Sequence, residues 1–305
     1  MSVLTTFDKS TNKDTLKTLV KDWFNNTDRP PMVEWKEIML DLKTSDQYER
    51  RGRWAGFTYP EEVPESEAIG AQDPKFDDTK DYTQVKYGTG FRISYEMKEF
   101  NKIGLMEKLS KNLRMVMEEG KDVEIAKMWN NTTATTYAAG YDGFAIAYDS
   151  HTCLDDAAST YDNKLGSALS TSTLESMRNY FDYLKDDQGN VITANPSHLV
   201  VNYSLVVTAE ELLGSSQKPH EFSNTINYFN SADLKIFDYH RLSSTTAWFA
   251  IAKNDPNYEY FCYTSREPSI IVERAPDTSL DDQAIAFQLF KYGVGDPRLA
   301  YFGNA

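Results

Sequence analysis

The sequence predicts an α+β fold, and three observations carry that prediction. Residues 82–97, YTQVKYGTGFRISYEM, alternate with a period of two. Residues 103–131 keep a helical period over an uncommon length, and residues 234–292 hold short strand-like runs in succession. Strands clustered in one region with helices elsewhere give an antiparallel or mixed sheet with helices on its faces. No internal repeat or low-complexity tract interrupts the pattern.

Composition bounds the function. The chain has 305 residues, 40% hydrophobic and 13% aromatic, enough to bury the core of one elaborate domain or two ordinary ones. Wholesale disorder is excluded. No run of 18 apolar residues exists to span a membrane as a helix, and MSVLTTFDKSTNKD is not a secretory signal. Two cysteines, Cys153 and Cys262, build no disulfide framework and fit a reducing compartment. The net charge is −14, and both halves are acidic: 21 Lys/Arg against 26 Asp/Glu in residues 1–150, then 11 against 20. A protein that grips nucleic acid carries a basic face. None is evident, so any DNA this protein meets is confined rather than bound.

The elements follow in order. Leu16, Leu19, Val20, Trp23 and Phe24 share one face of a short amphipathic helix over 13–26. That face either packs on the chain's own core or makes a detachable arm that lies on a neighbour; Leu16, Val20, Trp23 and Phe24 are its contact candidates. Pro30-Pro31 ends it, and Met32, Trp35, Ile38, Met39 and Leu42 predict a second helical face. Residues 47–59, QYERRGRWAGFTY, read as a strand with Arg50, Arg51 and Arg53 near its start. Residues 60–81 form a polar loop with Glu61, Glu62, Glu65, Glu67, Asp73, Asp77, Asp78 and Asp81 against Lys75 and Lys80.

The 82–97 run then completes a hairpin of about 40 Å per arm. Val85, Tyr87, Thr89, Phe91, Ile93 and Tyr95 fall on one face, with Gly88 and Gly90 on the other. Gly88-Thr89-Gly90 is not a phosphate loop, because the alternation passes straight through it, no third glycine stands at the fingerprint spacing, and no Gly-Lys-Ser/Thr occurs. A two-stranded ribbon is marginal alone and so long a loop is unusual. The ribbon therefore needs another surface, and a second copy of the chain supplies one. Arg50, Arg51, Arg53, Trp54, Phe57, Tyr59, Val85 and Tyr87 are the candidate contacts.

The helix at 103–131 places Leu105, Leu109, Leu113, Val116, Gly120 and Val123 inward. Gly143–Ala147 reads as a strand, and Ser172 with Glu175 as a capping box opening a helix that buries Leu174, Met177, Phe181 and Leu184. A turn at 187–190, a strand at 198–203 and a helix at 204–213 follow. Strands then read at 234–239, 247–252, 258–264, 269–274 and 283–292. Asp149, His151, Cys153, Asp155 and Asp156 are the most metal-like stretch, but no second pair lies at zinc spacing, so a solvated loop is expected. His198, His220 and His240 are scattered, and no Gly-x-Ser-x-Gly or His-Glu-x-x-His occurs. No residues stand behind an enzyme or a cofactor, and a small hydrolase or binding module is the remote alternative.

Three stretches carry a resemblance: VKYGTGFRISYEMKEFNKIGLMEKLSKNLRMVMEEGKDVEIAKMWNN (85–131), NPSHLVVNYSLVVTAEELLGSS (195–216) and FQLFKYGVGDPRLAYFG (287–303). With the order of parts, they make the chain similar to the major capsid proteins of tailed bacteriophages. The resemblance implies an N-terminal arm (1–47), an E-loop hairpin (48–96), a peripheral domain with its spine helix (97–165 and 276–305) and an axial domain (166–275). It further implies hexamers and pentamers that tile an icosahedral shell around double-stranded DNA in a virion. Assembly would occur in a host bacterium's cytoplasm, with a separate scaffold, a portal and decoration proteins as partners and no membrane. An encapsulin-like compartment is the alternative of the same fold. Some members begin with a scaffolding segment of about a hundred residues; with some 47 residues before the hairpin, either the scaffold is separate or this chain is the mature form.

Overall fold

In the computed structural model the described residues are 13–100, 102–154, 159–217, 226–231, 233–276 and 280–304. A helix, α1 (Lys13–Asn25), comes first, then a single 3-10 turn at Trp35–Glu37 and a short strand, β1 (Leu40–Lys43). The second predicted helix is therefore one turn long. Its Leu40 and Leu42 also fit a period of two, and the open edge of a distant strand offers them ladder partners.

Strands β2 (Tyr48–Trp54) and β3 (Phe76–Thr83) form the hairpin, and β4 (Val85–Ile93) continues from it. Helices α2 (Tyr95–Glu99) and α3 (Ile103–Asn130) follow. Three two-residue strands, β5 (His151–Thr152), β6 (Thr160–Tyr161) and β7 (Lys164–Leu165), precede α4 (Thr171–Asp182). Then come β8 (His198–Val201), α5 (Val206–Gly214), β9 (Lys235–Asp238), β10 (Trp248–Ile251), β11 (Tyr260–Arg274), β12 (Asp282–Val294) and β13 (Ala300–Gly303).

Two sheets organise the molecule. One runs β1-β11-β12-β4, with β1 parallel to β11 and the other pairs antiparallel. The other runs β7-β13-β10-β8-β9. The predicted α+β class with mixed sheets is what the chain adopts. Neither sheet is contiguous in sequence: β11 lies within 166–275 yet pairs with β1 and β12, and β13 lies within 276–305 yet closes on β10. The predicted strands at 258–264 and 269–274 are one strand, whose register slips around Arg266, next to Pro268.

The period-2 run is likewise divided. β3 pairs with β2, and after Gln84 the chain changes partner, so that β4 pairs with β12 from Val85↔Phe290 to Ile93↔Asp282. The hairpin arm is accordingly shorter than predicted, seven residues or about 23 Å in β2. The glycines do thin one face for a passing backbone: a Cβ on Gly90 would come within 2.4 Å of the Ala284 carbonyl oxygen.

α3 keeps its predicted length but turns a different face inward. Leu105, Val116 and Val123 are exposed, while Met106, Ser110, Leu113, Met117, Lys121, Ile125, Met128 and Trp129 are buried. Met106, Leu113 and Met117 pack beneath α1 and against the four-stranded sheet, whose position selects this face. Leu16, Val20 and Phe24 of α1 enter the same cluster with Ile93, Ile270 and Val272. At the far end Trp129 stacks between Phe249 and Tyr260, so one indole ties both sheets together.

α4 starts two residues earlier than the capping box predicts. Ser170 caps it, with Thr173 returning the bond to the Ser170 N–H. Leu174, Met177, Phe181 and Leu184 are buried as predicted. The predicted helix at 204–213 begins as a 3-10 turn, Tyr203–Leu205, before α5. Gly143–Ala147 is an irregular, bent stretch and not a strand, held where Asn163 Nδ2 donates to the Ile146 carbonyl at 2.8 Å.

Candidate functional site

The β2–β3 hairpin carries two kinds of chemistry, and burial separates them. At the tip, Trp54, Phe57, Tyr59 and Phe76 each keep more than half of their surface exposed, and Ile69 is 84% exposed. Residues 57–77 are exposed throughout. Few bonds hold this connection: Ala55 N–H donates to the Lys75 carbonyl, Thr58 N–H to Gln72 Oε1, and Asn190 Nδ2 to the Phe57 carbonyl. The tip is thus an exposed apolar surface rimmed by carboxylates.

At the root the arginines diverge. Arg50 remains exposed and forks onto Asp81 at 2.6 and 2.8 Å, a cross-strand pair. Arg51 lies half-buried, its Nε donating to Tyr263 Oη and its guanidinium 4.5 Å from the Phe261 ring centroid. Arg53 is buried: Nε donates to Asp187 Oδ2 at 2.9 Å and Nη1 to the Thr152 carbonyl at 2.7 Å. Of the three predicted to meet a neighbour, Arg53 thus turns into its own chain. The β2 register break between Arg51 and Arg53 re-aims it.

Tyr82 nails the other strand down, with its hydroxyl donating to the Val294 carbonyl and its ring edge-on to Phe261. Val85 is exposed, and Tyr87 stacks on Phe290 at 4.5 Å within its own sheet. In α1, Leu16, Val20 and Phe24 face the chain's own core and Trp23 packs at its margin. A helix this short needs a partner surface, and α3 with the sheet already provides it.

Residues that sequence reasoning passed over complete the root. Asp187, read only as part of a turn, accepts from both Arg53 and Arg298. Asp296 accepts from Tyr161 Oη at 2.8 Å. Burial alone would raise the Asp296 carboxyl, but the Arg298 and Arg53 guanidiniums override it and hold the carboxyl below its usual range. The sequence trace of this network is a charged pair, Asp296 and Arg298, set between two apolar strands.

Glu259 lies nearby, accepting from the Asp296 N–H at 2.7 Å with Arg51 3.9 Å away. Burial, helped by the Asp296 charge, raises its carboxyl above the ordinary range against that hydrogen bond and Arg51. The folded state therefore binds this proton more tightly than the unfolded one, so the stability it contributes is full below the unfolded pKa and fades as pH rises through the folded one. Glu259→Gln removes this group's share of that slope. Thermal melts across the range from the ordinary carboxylate pKa upward test this: the variant gains on wild type as pH rises, and parallel curves would refute it.

His151 is not in a solvated loop. It is fully buried, with Nδ1 2.6 Å from Asp142 Oδ2 and its ring stacked on Tyr161. Cys153 is buried too, while Asp155 and Asp156 lie outside the described residues. Among the described residues no group of three His, Cys, Asp or Glu side chains could hold a metal. No described helix is long and apolar enough to cross a membrane.

A family model described as phage capsid protein matches residues 77–301. The chain is similar to the capsid structure of cyanophage P-SCSP1u, with a TM-score of 0.58 at 9% identity over 91% of this chain and 89% of that one. It is similar to the capsid of an empty GTA particle, TM-score 0.56 at 9% identity, covering 91% and 92%. The capsid of Helicobacter pylori bacteriophage KHP30 is also similar, TM-score 0.54 at 9% identity, covering 91% and 92%. No curated protein matches the sequence.

Proposed function

Because this chain belongs to the phage capsid protein family, and so is a structural subunit of a phage head, we propose that its copies join as hexamers and pentamers. These tile an icosahedral shell that encloses double-stranded DNA without reading its sequence. The shell is built in the host cytoplasm on a separate scaffold around a portal, and decoration proteins add to its surface. The observation that supports the assembly reading is the exposed aromatic surface of the hairpin, which one copy leaves bare and which a neighbouring copy would cover. The acidic balance of the chain supports a wall that repels packaged DNA. Nothing favours a protein-filled compartment of the same fold over the phage head.

Electron microscopy and sedimentation of the purified protein test the proposal. Closed shells containing nucleic acid in infected cells support it, and a strict monomer under every assembly condition defeats it. Trp54→Ala is the sharper probe. Trp54 is 65% exposed, so the isolated subunit keeps its melting temperature, whereas each contact in the shell loses about 2 kcal/mol or more. Shell yield should fall; wild-type yield, or a subunit that unfolds, would remove Trp54 from the contact.

A further inference from the structure

One end of the β7-β13-β10-β8-β9 sheet gathers positive charge on an otherwise acidic chain. The Ser197 N–H donates to the Ile251 carbonyl, the Lys235 N–H to the Ser197 carbonyl and the Lys253 N–H to Ser197 Oγ. These bonds fix the start of β8, the start of β9 and the residues just beyond β10 side by side. His198 opposes both Lys235 and Ile251 in the ladders, and Lys253 follows Ile251 by two. The side chains of His198, Lys235 and Lys253 therefore emerge together.

Glu37, from the 3-10 turn after α1, is the one carboxylate set among them. Lys235 Nζ lies 3.1 Å from Glu37 Oε2, and His198 Nε2 lies 3.9 Å from the same oxygen. Lys253 donates to the Lys36 carbonyl and, among the described residues, makes no ion pair. The Lys36 side chain itself turns away to Asp41. Two ammoniums against one carboxylate leave a charge over. Burial, then the Lys235 and Lys253 charges, hold His198 below its ordinary pKa, and Glu37 offsets them only in part. Burial, helped by Lys235, lowers Lys253 against the same Glu37. The cluster is open to solvent, with the Lys235 side chain 59% and the Glu37 side chain 48% exposed.

We infer that this end of the sheet is a phosphate-binding site formed by Lys235, Lys253 and His198. Donors carried on three chain segments approach from separate directions, which suits tetrahedral phosphate oxygens better than a planar carboxylate. A phosphate brings the missing negative charge. It also draws a proton onto His198, which makes the ring a third cationic donor. Glu37 does not close the place, because its exposed pair with Lys235 contributes little. The phosphate is a diester of the enclosed DNA or a free one. Only the first source rests on the shell proposal, and it would have an acidic wall touch DNA at one defined point in each subunit.

Inorganic phosphate, titrated into the purified subunit against chloride at fixed ionic strength, tests the site. The His198 ring signals, assigned by NMR with His198→Gln, shift and titrate at higher pH with phosphate than without. Lys253→Met weakens phosphate binding about tenfold, the loss of one charge-assisted bond. Should that variant not fold, Lys235→Gln, at an exposed position, shows the same loss. His198 signals that ignore phosphate, or unchanged binding in the folded lysine variants, overturn the inference. Acetate that shifts the signals as far as phosphate at equal concentration also overturns it, since the occupant would then be a carboxylate of another chain. A short DNA duplex identifies the source. If it moves His198 as inorganic phosphate does, the site takes the diester; if inorganic phosphate alone does so, the site takes a free phosphate, and either result supports the site. Shells that form while His198 ignores phosphate leave the capsid reading standing and remove this one; phosphate bound to a strict monomer does the reverse.

Discussion

Asp187→Ala lowers the stability of the isolated subunit by about 3–5 kcal/mol, the range for removing one partner of a buried charge cluster. Asp187 lies between two guanidiniums, accepting from Arg53 Nε at 2.9 Å and from Arg298 Nη2 at 2.7 Å, and all three side chains are almost fully buried. Truncation leaves two cations facing each other without the carboxylate between them, and frees the root of β2 from the turn that follows α4. Replacing Arg53 by Met and Asp187 by Leu together is milder, because an apolar pair leaves less charge stranded. Urea midpoints of both variants measure the difference. A loss under about 1 kcal/mol in Asp187→Ala would mean that solvent reaches the cluster and screens it.

Trp129→Ala should cost a similar amount, about 3–5 kcal/mol. The indole is buried at the end of α3 with Phe249 at 4.7 Å and Tyr260 at 5.2 Å, one from each sheet, and Phe302 at 6.2 Å. The cavity left by its removal lies where the two sheets meet, and neither can collapse into it without shearing its own ladder. Trp129→Phe restores part of the stack and part of the stability. Equal losses for the two variants would show that the hole closes by rearrangement and that stacking contributes little.

How much of this was legible beforehand depended on the range of the interaction. The period of α3, the buried face of α4 and the inward strands β8 and β10 were readable, because each is set by neighbours within a few residues. The face of α3 was not: Leu113 belongs to both the predicted stripe and the observed one, and only the position of α1 and β12 decides between them. β11 read as two strands because a Pro268 bulge looks, locally, like an end. At the candidate site the exposed aromatics Trp54, Phe57 and Tyr59 followed from the loop around them. Arg50, Arg51 and Arg53 did not separate, since identical residues at near spacing acquire different fates only from Asp81, Tyr263 and Asp187, up to 212 positions away.

The change of partner at Gln84 has a mechanical side. β3 and β4 form an almost continuous extended segment, interrupted by one residue whose N–H donates to the Gln47 carbonyl. A pull on the hairpin along that segment reaches β4 lengthwise. β4 is bonded to β12 through nine consecutive residue pairs with bonds perpendicular to the strands. Tension directed this way strains those bonds together, as shear, whereas a sideways pull would open them one after another. A load on the hairpin along this line is thus expected to leave the body to which it is attached folded.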